Sequence, residues 1–308
     1  MRFEILIRRI TMYDAIIIGA GMAGMTAGIY AKRRELKTLI IASELGGQMA
    51  KNLDIENWPG EDHISGAELA QKMQKQLQKF AAEFKFEFVT KIVQNNNRFT
   101  VKTSSNSYNA KSIILAFGKT PRKLGIPGED KFIGKGISYC VTCDGPIFRG
   151  KDVAIIGGGN SALDAALVMS KIATKVYLIH RSAEFRADEL IIDKVKKSEN
   201  IEIITSANVI EAIGDQTLQQ IKLDNSKTLD ISAMFVEIGS IVDDTIVHDL
   251  VKTDDKKQII TDDNQMTSIA GIFAAGDLSD SPYKQLVVAA GEGATAALSA
   301  YKFLQNNH

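Results

Sequence analysis

Cysteine is nearly missing from this sequence: two residues in 308, Cys140 and Cys143, separated by two positions. So sparse a supply excludes a disulfide-stapled secreted scaffold and suits a reducing cytoplasm. Tryptophan occurs once, proline five times and histidine four times, and none of the histidines stands at a metal-ligand spacing from another. Excess charge is absent too, because 37 Lys and Arg balance 37 Asp and Glu. No bulk field therefore draws the chain to nucleic acid or to an anionic membrane. No apolar run approaches the roughly 20 residues that span a bilayer, so no membrane insertion is expected. Local clusters must carry any recognition of anions.

A chain of 308 residues predicts two domains at roughly 150 residues each. Residues 1–11 place Arg2, Arg8 and Arg9 around Ile5-Leu6-Ile7, too short an apolar stretch for a secretory signal. Met12 reads as an alternative start, which makes residues 1–11 a leader of unassigned role.

The two cysteines lie in Tyr139-Cys140-Val141-Thr142-Cys143-Asp144-Gly145. A structural zinc site needs four Cys or His ligands, and no second C-x-x-C or H-x-x-x-H completes one. A staple across so short a loop removes little unfolded-chain entropy. Two readings survive: a redox-active pair, in which one thiol is held as thiolate while its neighbour resolves mixed disulfides, or two small buried hydrophobes. Asp144 follows directly, either to shuttle a proton at the sulfurs or to form the turn before Gly145-Pro146.

Two glycine-rich turns frame this motif. Asp14-Ala15-Ile16-Ile17-Ile18 predicts a strand buried on both faces, and Gly19-Ala20-Gly21-Met22-Ala23-Gly24 follows at once, before a helix over 25–36 and a strand over 38–41. In such a G-x-G-x-x-G turn the backbone approaches a pyrophosphate seated on the helix N-terminus. The acidic residue sought about 20 positions on is displaced, with Ala42 and Ser43 there and Glu44 just beyond. The pattern returns at Val153-Ala154-Ile155-Ile156 and Gly157-Gly158-Gly159-Asn160-Ser161-Ala162, with a helix over 163–171 and a strand over 175–179. That strand runs into His180-Arg181-Ser182-Ala183-Glu184-Phe185-Arg186. Arginine at that strand end accommodates a 2′-phosphate, so Arg181 and Arg186 lean toward NADP(H); the plainer reading is a solvated basic patch.

The remaining segments read more simply. Glu44 to Gln48 and Asp54 to Gly60 are loops, the second carrying Trp58. Leu69, Met73, Leu77 and Phe80 fall on one helical face and predict packing. Short strands are expected over 86–89, 98–102, 107–109 and 112–118, and another over 235–239. Pro- and Gly-rich connectors at 120–128 and near 240–245 mark boundaries. Gly271 to Asp277 predicts a buried strand that leaves Asp277 at a carboxyl edge, where it suits sugar hydroxyls, and 285–303 predicts a long Ala- and Gly-rich helix.

Taken in order, the turn at Gly19 to Gly24, Gly46-Gly47-Gln48, Glu56-Asn57-Trp58-Pro59-Gly60, Cys140 to Gly145, Gly157 to Ala162, His180 to Arg186, and Ala275-Gly276-Asp277 with Gln285 resemble the low-molecular-weight thioredoxin reductases, from Met12 to the C-terminus. The resemblance implies an α/β fold of two Rossmann-like, three-layer (ββα) dinucleotide-binding domains, the second inserted into the first. A discontinuous FAD domain would comprise 12–122 and 244–308, and an NADPH domain 123–243 would carry the cysteines. It implies hinge connectors about which the inserted domain swivels, and electron flow from NADPH through FAD and the Cys140/Cys143 disulfide to the disulfide of thioredoxin. By that likeness Cys143 is the flavin-proximal sulfur, Cys140 attacks the partner and Asp144 donates the proton. Gly19, Gly21, Gly24, Gln48, Asn57, Asp277 and Gln285 would hold FAD; Gly157, Gly159, Asn160, Ser161, Arg181 and Arg186 would hold NADPH. A cytoplasmic homodimer with a thioredoxin or thioredoxin-like partner is implied.

The chain departs from the family pattern at Ser182, where a second arginine is usual, at Phe117 for threonine, at Lys284 for arginine and at Val242 for proline. Competing readings are a reductase of another thioredoxin-like or peroxiredoxin partner, a dithiol oxidase, and a flavin-binding redox sensor. An oxidase needs no nicotinamide, so the second glycine turn with Arg181 and Arg186 stands against it.

Overall fold

The structure is a computed structural model that describes residues 11–50 and 55–306, with the backbone alone at Cys143. The leader up to residue 10, Asp54 and His308 lie outside the described residues. Two compact units form, one from the residues up to Lys119 together with those from Val242 onward, the other from Thr120–Ile241. The joins precede the 122/123 and 243/244 boundaries expected from the connectors. The reason is local: Thr120–Pro121 (β7) pairs antiparallel with Ser240–Ile241 (β16), so both ends of the insert belong to it.

The first unit opens with the apolar strand β1 (Met12–Ile18). Helix α1 (Met22–Arg33) starts three residues before the expected Met25 because Gly21 is already its N-cap, and it ends before Leu36 because Glu35 turns to a φ of 61°. Strand β2 (Thr38–Ala42) follows, then a short helix α2 (Gly47–Ala50) where only a loop was expected. Helix α3 (Gly66–Lys79) is capped by the Ser65 side chain, which accepts the Glu68 N–H, and it buries Leu69, Met73 and Leu77 as its periodicity predicts. Strands β3 (Glu83–Phe86), β4 (Val89–Asn95), β5 (Arg98–Thr103) and β6 (Ser107–Leu115) complete this stretch. The strand expected over 86–89 does not form; the chain leaves one ladder there and enters another, with Phe86 and Phe88 exposed. The two strands expected over 107–118 are one, because the first half of β6 pairs with β5 while its second half extends along β1.

The second unit, between β7 and β16, runs α4 (Glu129–Phe132), β8 (Ile137–Ser138), α5 (Val141–Asp144) with a 3-10 turn over Gly145–Phe148, β9 (Asp152–Ile156) and α6 (Asn160–Ser170). It continues through β10 (Lys175–Ile179), α7 (Glu189–Lys196), β11 (Ile201–Ile204), β12 (Val209–Gly214), β13 (Leu218–Leu223), β14 (Thr228–Asp230) and β15 (Ala233–Val236). Its sheet has the order β11-β10-β9-β15-β8, with every pair parallel, and β12, β13 and β14 form a separate antiparallel meander. Alternation divides the core: Ala154, Ile156, Met234 and Val236 face the meander, while Val153, Ile155, Ala233 and Phe235 face α6. Strand β15 begins and ends before the expected 235–239, which leaves Glu237 just past its end.

The chain then returns to the first unit with β17 (Ile272–Ala274) and the long helix α8 (Leu286–Asn306). The sheet here has the order β3-β2-β1-β6-β5-β4, and β17 pairs in parallel with β6. Ile17, Ile40, Ile114 and Phe273 face α1, α3 and α8; Ile16, Ile18, Leu39, Ile113 and Ile272 face the β4-β5 side. Complete burial of one such isoleucine contributes about 1.5–3 kcal/mol. Each unit is therefore three layers deep, helices on one face of a parallel sheet and a meander on the other, and each presents its strand C-termini to a glycine turn.

Candidate active site

At the end of β1, Gly19 adopts a φ of +111°, and a Cβ there would lie 2.2 Å from the Ala116 carbonyl oxygen. Gly24 is equally constrained: its Cβ would lie 2.0 Å from the Gly19 oxygen, so α1 presses directly on the turn. Gly21 differs, being extended with only one atom near its Cβ position, at 3.9 Å. No side chain caps α1 and no acid occupies its first turn, so the first amides and the helix dipole face outward for an anion. That is a fit for a dinucleotide pyrophosphate.

Other expected residues of this unit gather at the same end. Gly46 donates its N–H to the Ala20 oxygen at 2.7 Å, which brings α2 and Gln48 against the turn, and Gln48 Nε2 donates to the Lys119 oxygen at 3.4 Å. Asn57 Nδ2 donates to Gln285 Oε1 at 3.2 Å across 228 positions of sequence. Asp277 follows Gly276, whose φ is +87° and whose Cβ position is 3.0 Å from Ala23 of α1. Sequence reasoning missed the group that holds this last turn. Glu292, buried on α8, accepts from the Gly276 N–H at 2.7 Å and from Ser279 Oγ at 3.2 Å. Lys284 donates to the Ser279 oxygen at 2.6 Å, and burial, followed by the neighbouring Lys119 charge, lowers its pKa.

The second turn repeats the first with different surroundings. Gly157 has a φ of +154°, and its Cβ would meet the Glu237 carbonyl oxygen at 2.3 Å. Gly159 is the extended N-cap of α6, with nothing within 4 Å of its Cβ position, no side-chain cap and no acid in the first helical turn. Behind it the ring of His180 fills the space beside Gly158, 2.3 Å from where a Cβ would stand. His180 stacks on Phe185 and contacts the Glu184 oxygen through Nε2 at 3.1 Å; burial is the main cause of its lowered pKa, and the Arg181 and Arg186 charges add to it. It is a neutral shaping residue.

The arginine loop folds back on this turn. Arg186 donates its N–H to the Gly158 oxygen at 2.7 Å, while Arg181 and Arg186 keep exposed side chains, as does Ser161 in the first turn of α6. Asn160, expected to face a nucleotide, has its amide committed within the protein. Its Oδ1 accepts the Asp188 N–H at 2.9 Å and its Nδ2 donates to Asp188 Oδ2 at 3.0 Å. Asp188 was not legible beforehand.

Helix α5 carries the cysteine motif on this same unit. Cys140 is disulfide-bonded, and Ser138 brackets it, with Oγ accepting the Cys140 N–H at 3.0 Å and donating to its oxygen at 3.3 Å. Thr142 Oγ1 lies 3.3 Å from Cys140 Sγ. The backbone of Cys143 lies within α5, and Asp144 closes it, donating its N–H to the Cys140 oxygen at 3.1 Å. Gly145 lets the motif press on α6, since a Cβ there would be 2.8 Å from Met169 Sδ. On the approach side Tyr139 donates to Glu129 Oε1 at 2.7 Å, and that buried carboxyl also takes the Leu124 and Gly125 N–H groups at 2.9 and 2.7 Å. Beside Asp144 opens a cavity of about 920 Å³ that includes Lys135, Ser138, Ile147 and Phe148 in its wall.

The segment that carries the disulfide packs through Gly145 on α6, the helix that opens at the second glycine turn, a placement suited to a nucleotide-linked disulfide oxidoreductase. The comparisons agree: this chain belongs to the pyridine nucleotide-disulphide oxidoreductase family, whose model matches residues 13–293. It is similar to the thioredoxin reductase of Treponema pallidum, with 40% identity over 302 residues that cover 96% of this chain and 98% of the relative. Among solved structures it is similar to Lactococcus lactis thioredoxin reductase, at 38% identity, 96% and 99% coverage and a TM-score of 0.84. The T. acidophilum thioredoxin reductase follows the same fold with a TM-score of 0.81 at 34% identity, covering 94% of this chain and 98% of that one.

Proposed function

We propose that the protein is an NADPH-dependent thioredoxin-disulfide reductase, with FAD on the first unit and NADPH on the second. The observation that carries this reading is the Cys140 disulfide on α5, packed through Gly145 on the helix that opens at Gly159. FAD, when bound, supplies the two-electron relay between nicotinamide and disulfide. The residues of the chain do the rest. The first-turn amides of α1 and of α6 each receive a pyrophosphate, Asn57, Gln285, Gln48 and Asp277 orient the flavin nucleotide, and Arg181 with Arg186 receive the 2′-phosphate.

Two electrons and two protons convert the disulfide to two thiols, one proton coming from Asp144. Cys140 passes its thiol proton back to Asp144 and, as the thiolate, attacks one sulfur of the partner disulfide, forming a mixed disulfide and expelling the partner's other sulfur as a thiolate that takes up a proton. Cys143 resolves it, re-forming the bond to Cys140 and releasing the partner as a dithiol. Ile147, 73% exposed at the wall of the cavity beside Asp144, offers apolar surface for a thioredoxin. The working form is a cytoplasmic homodimer; among the described residues no helix is long and apolar enough to cross a membrane.

The test is anaerobic addition of NADPH to the purified yellow protein. Bleaching of the flavin, followed by appearance of thiols on added thioredoxin, is expected. A colourless protein after reconstitution, or electrons that never reach thioredoxin, would overturn the reading.

A further inference from the structure

The backbone of Cys140 is held by bonds that do not pass through its sulfur. Ser138 Oγ accepts the Cys140 N–H at 3.0 Å and donates to the Cys140 oxygen at 3.3 Å, and the Asp144 N–H reaches that same oxygen at 3.1 Å. Val141, which opens α5, is buried, and Gly145 seats the end of the motif on Met169 of α6. Opening of the disulfide removes none of these contacts, so Cys140 keeps its place beside the next turn of chain.

On that frame Thr142 Oγ1 lies 3.3 Å from Cys140 Sγ. A disulfide sulfur carries no hydrogen, so in the oxidised pair of this structure the hydroxyl is the donor. After reduction the sulfur is either a thiol or a thiolate, and a hydroxyl accepts from the first and donates to the second. Hydrogen bonds with one ionised partner are roughly twice as strong as neutral ones. The contact therefore favours the thiolate and eases loss of the thiol proton.

The titratable groups on the surrounding elements do not supply this donor. Asp144 belongs to α5, Asp164 is exposed on α6, and Glu129 is taken up by Leu124, Gly125 and Tyr139. Glu237 follows β15 with its carboxyl pushed up to about 7 by burial, and Arg149 is exposed past the 3-10 turn. Lys135, Lys151, Asp152 and Asp230 line the cavity beside Asp144.

We propose that Thr142 is a catalytic residue whose hydroxyl donates a hydrogen bond to Cys140 Sγ and stabilises the thiolate that attacks the partner disulfide. This rests on the reading of Cys140 as the attacking sulfur. The hydroxyl keeps its own proton throughout; as the Cys140 proton passes to Asp144, it turns its hydrogen toward the sulfur.

The test uses the full chain with Cys143→Ser, which leaves Cys140 as the sole thiol. Its alkylation by iodoacetamide is followed from pH 5 to 10; the thiolate displaces iodide and forms the sulfur–carbon bond, its proton having passed to solvent. Adding Thr142→Val, which exchanges the hydroxyl for a methyl group of similar size, is expected to move the titration up by about one pH unit and to slow alkylation at pH 6 by about three- to tenfold. At pH 10 the same variant should react no more slowly than its parent, because a thiolate of higher pKa is the better nucleophile. Thr142→Ser, which retains a hydroxyl, should restore the parent profile. Superimposable profiles with and without Thr142→Val, a slowing that is equal at every pH, or a Ser variant as slow as the Val variant would each overturn the inference. Transfer of electrons from NADPH to thioredoxin by the wild-type protein is scored separately, so a chain that fails there defeats the functional reading, while the alkylation profile decides the role of Thr142.

Discussion

Asn160 and Asp188 grip one another by two hydrogen bonds, of 3.0 and 2.9 Å, across 28 positions of sequence. The pair closes the arginine loop over the glycine turn, next to the bond from the Arg186 N–H to the Gly158 oxygen. Asp188→Ala removes the side-chain half of this clasp while leaving the backbone donor. A loss of about 1 kcal/mol, or roughly fivefold, is expected in the NADPH Michaelis constant with turnover nearly unchanged. Steady-state kinetics at varied NADPH check this, and an unaltered Michaelis constant would show the loop to be held by its backbone alone.

Arg181 and Arg186 carry exposed guanidinium groups on that loop. Replacing both by Ala should raise the Michaelis constant for NADPH by about 10- to 100-fold, since a hydrogen bond to a charged group contributes about 1.5–3 kcal/mol. NADH, which lacks the 2′-phosphate, should change only a few-fold. Equal effects on the two nucleotides would remove the 2′-phosphate assignment. Ser182, which supplies no second charge beside Arg181, predicts that the wild-type preference itself is modest.

Glu292 supports the turn that presents Asp277. Glu292→Ala strands the Gly276 N–H and the Ser279 hydroxyl in a buried setting, at a cost of about 1–3 kcal/mol for each group. The variant is expected to melt several degrees lower and to lose flavin during gel filtration. Glu292→Gln, which keeps an oxygen toward Gly276, should recover most of the loss; a Gln variant as damaged as the Ala variant would point to the charge and not to the acceptor.

The Glu237 carboxyl predicts a pH dependence of stability. Its folded-state pKa of about 7 lies above the ordinary 4.5, so the unfolded chain releases this proton more readily than the folded one. The associated stability is complete below the lower value and is lost as pH rises through the higher, on the order of 3 kcal/mol in all. Glu237→Gln should therefore melt with the wild type near pH 5 and above it at pH 8.5. Parallel melting curves at both pH values would refute the burial-driven shift.

Cys143→Ser leaves both glycine turns and both arginines in place. FAD and NADPH binding should survive, measured by absorbance and by nucleotide titration, while thioredoxin reduction falls to background because the mixed disulfide cannot be resolved. Persisting turnover would break the assigned relay.

Both glycine turns were legible because their demands are backbone demands: a φ of +111° at Gly19 and carbonyl oxygens within 2.3 Å of the Cβ positions at Gly19, Gly24 and Gly157 admit no side chain. The parallel strands were legible as continuous apolar runs. Strand ends were less so. Neither the junction near 86–89 nor the length of β6 shows in local composition, since each depends on which neighbour the chain pairs with.

By itself, the order of apolar runs, glycine turns and one C-x-x-C motif determined two dinucleotide-binding units and a redox pair, because these features act through local backbone geometry and short spacing. Only tertiary structure decided which further acids support them. Glu129, Asp188, Glu237 and Glu292 look in sequence like ordinary solvated acids. Their roles arise when folding brings partners to them, backbone amides to the buried Glu129 and Glu292 and the Asn160 amide to Asp188, and when burial raises the Glu237 carboxyl, a matter of partners and burial that no local pattern encodes.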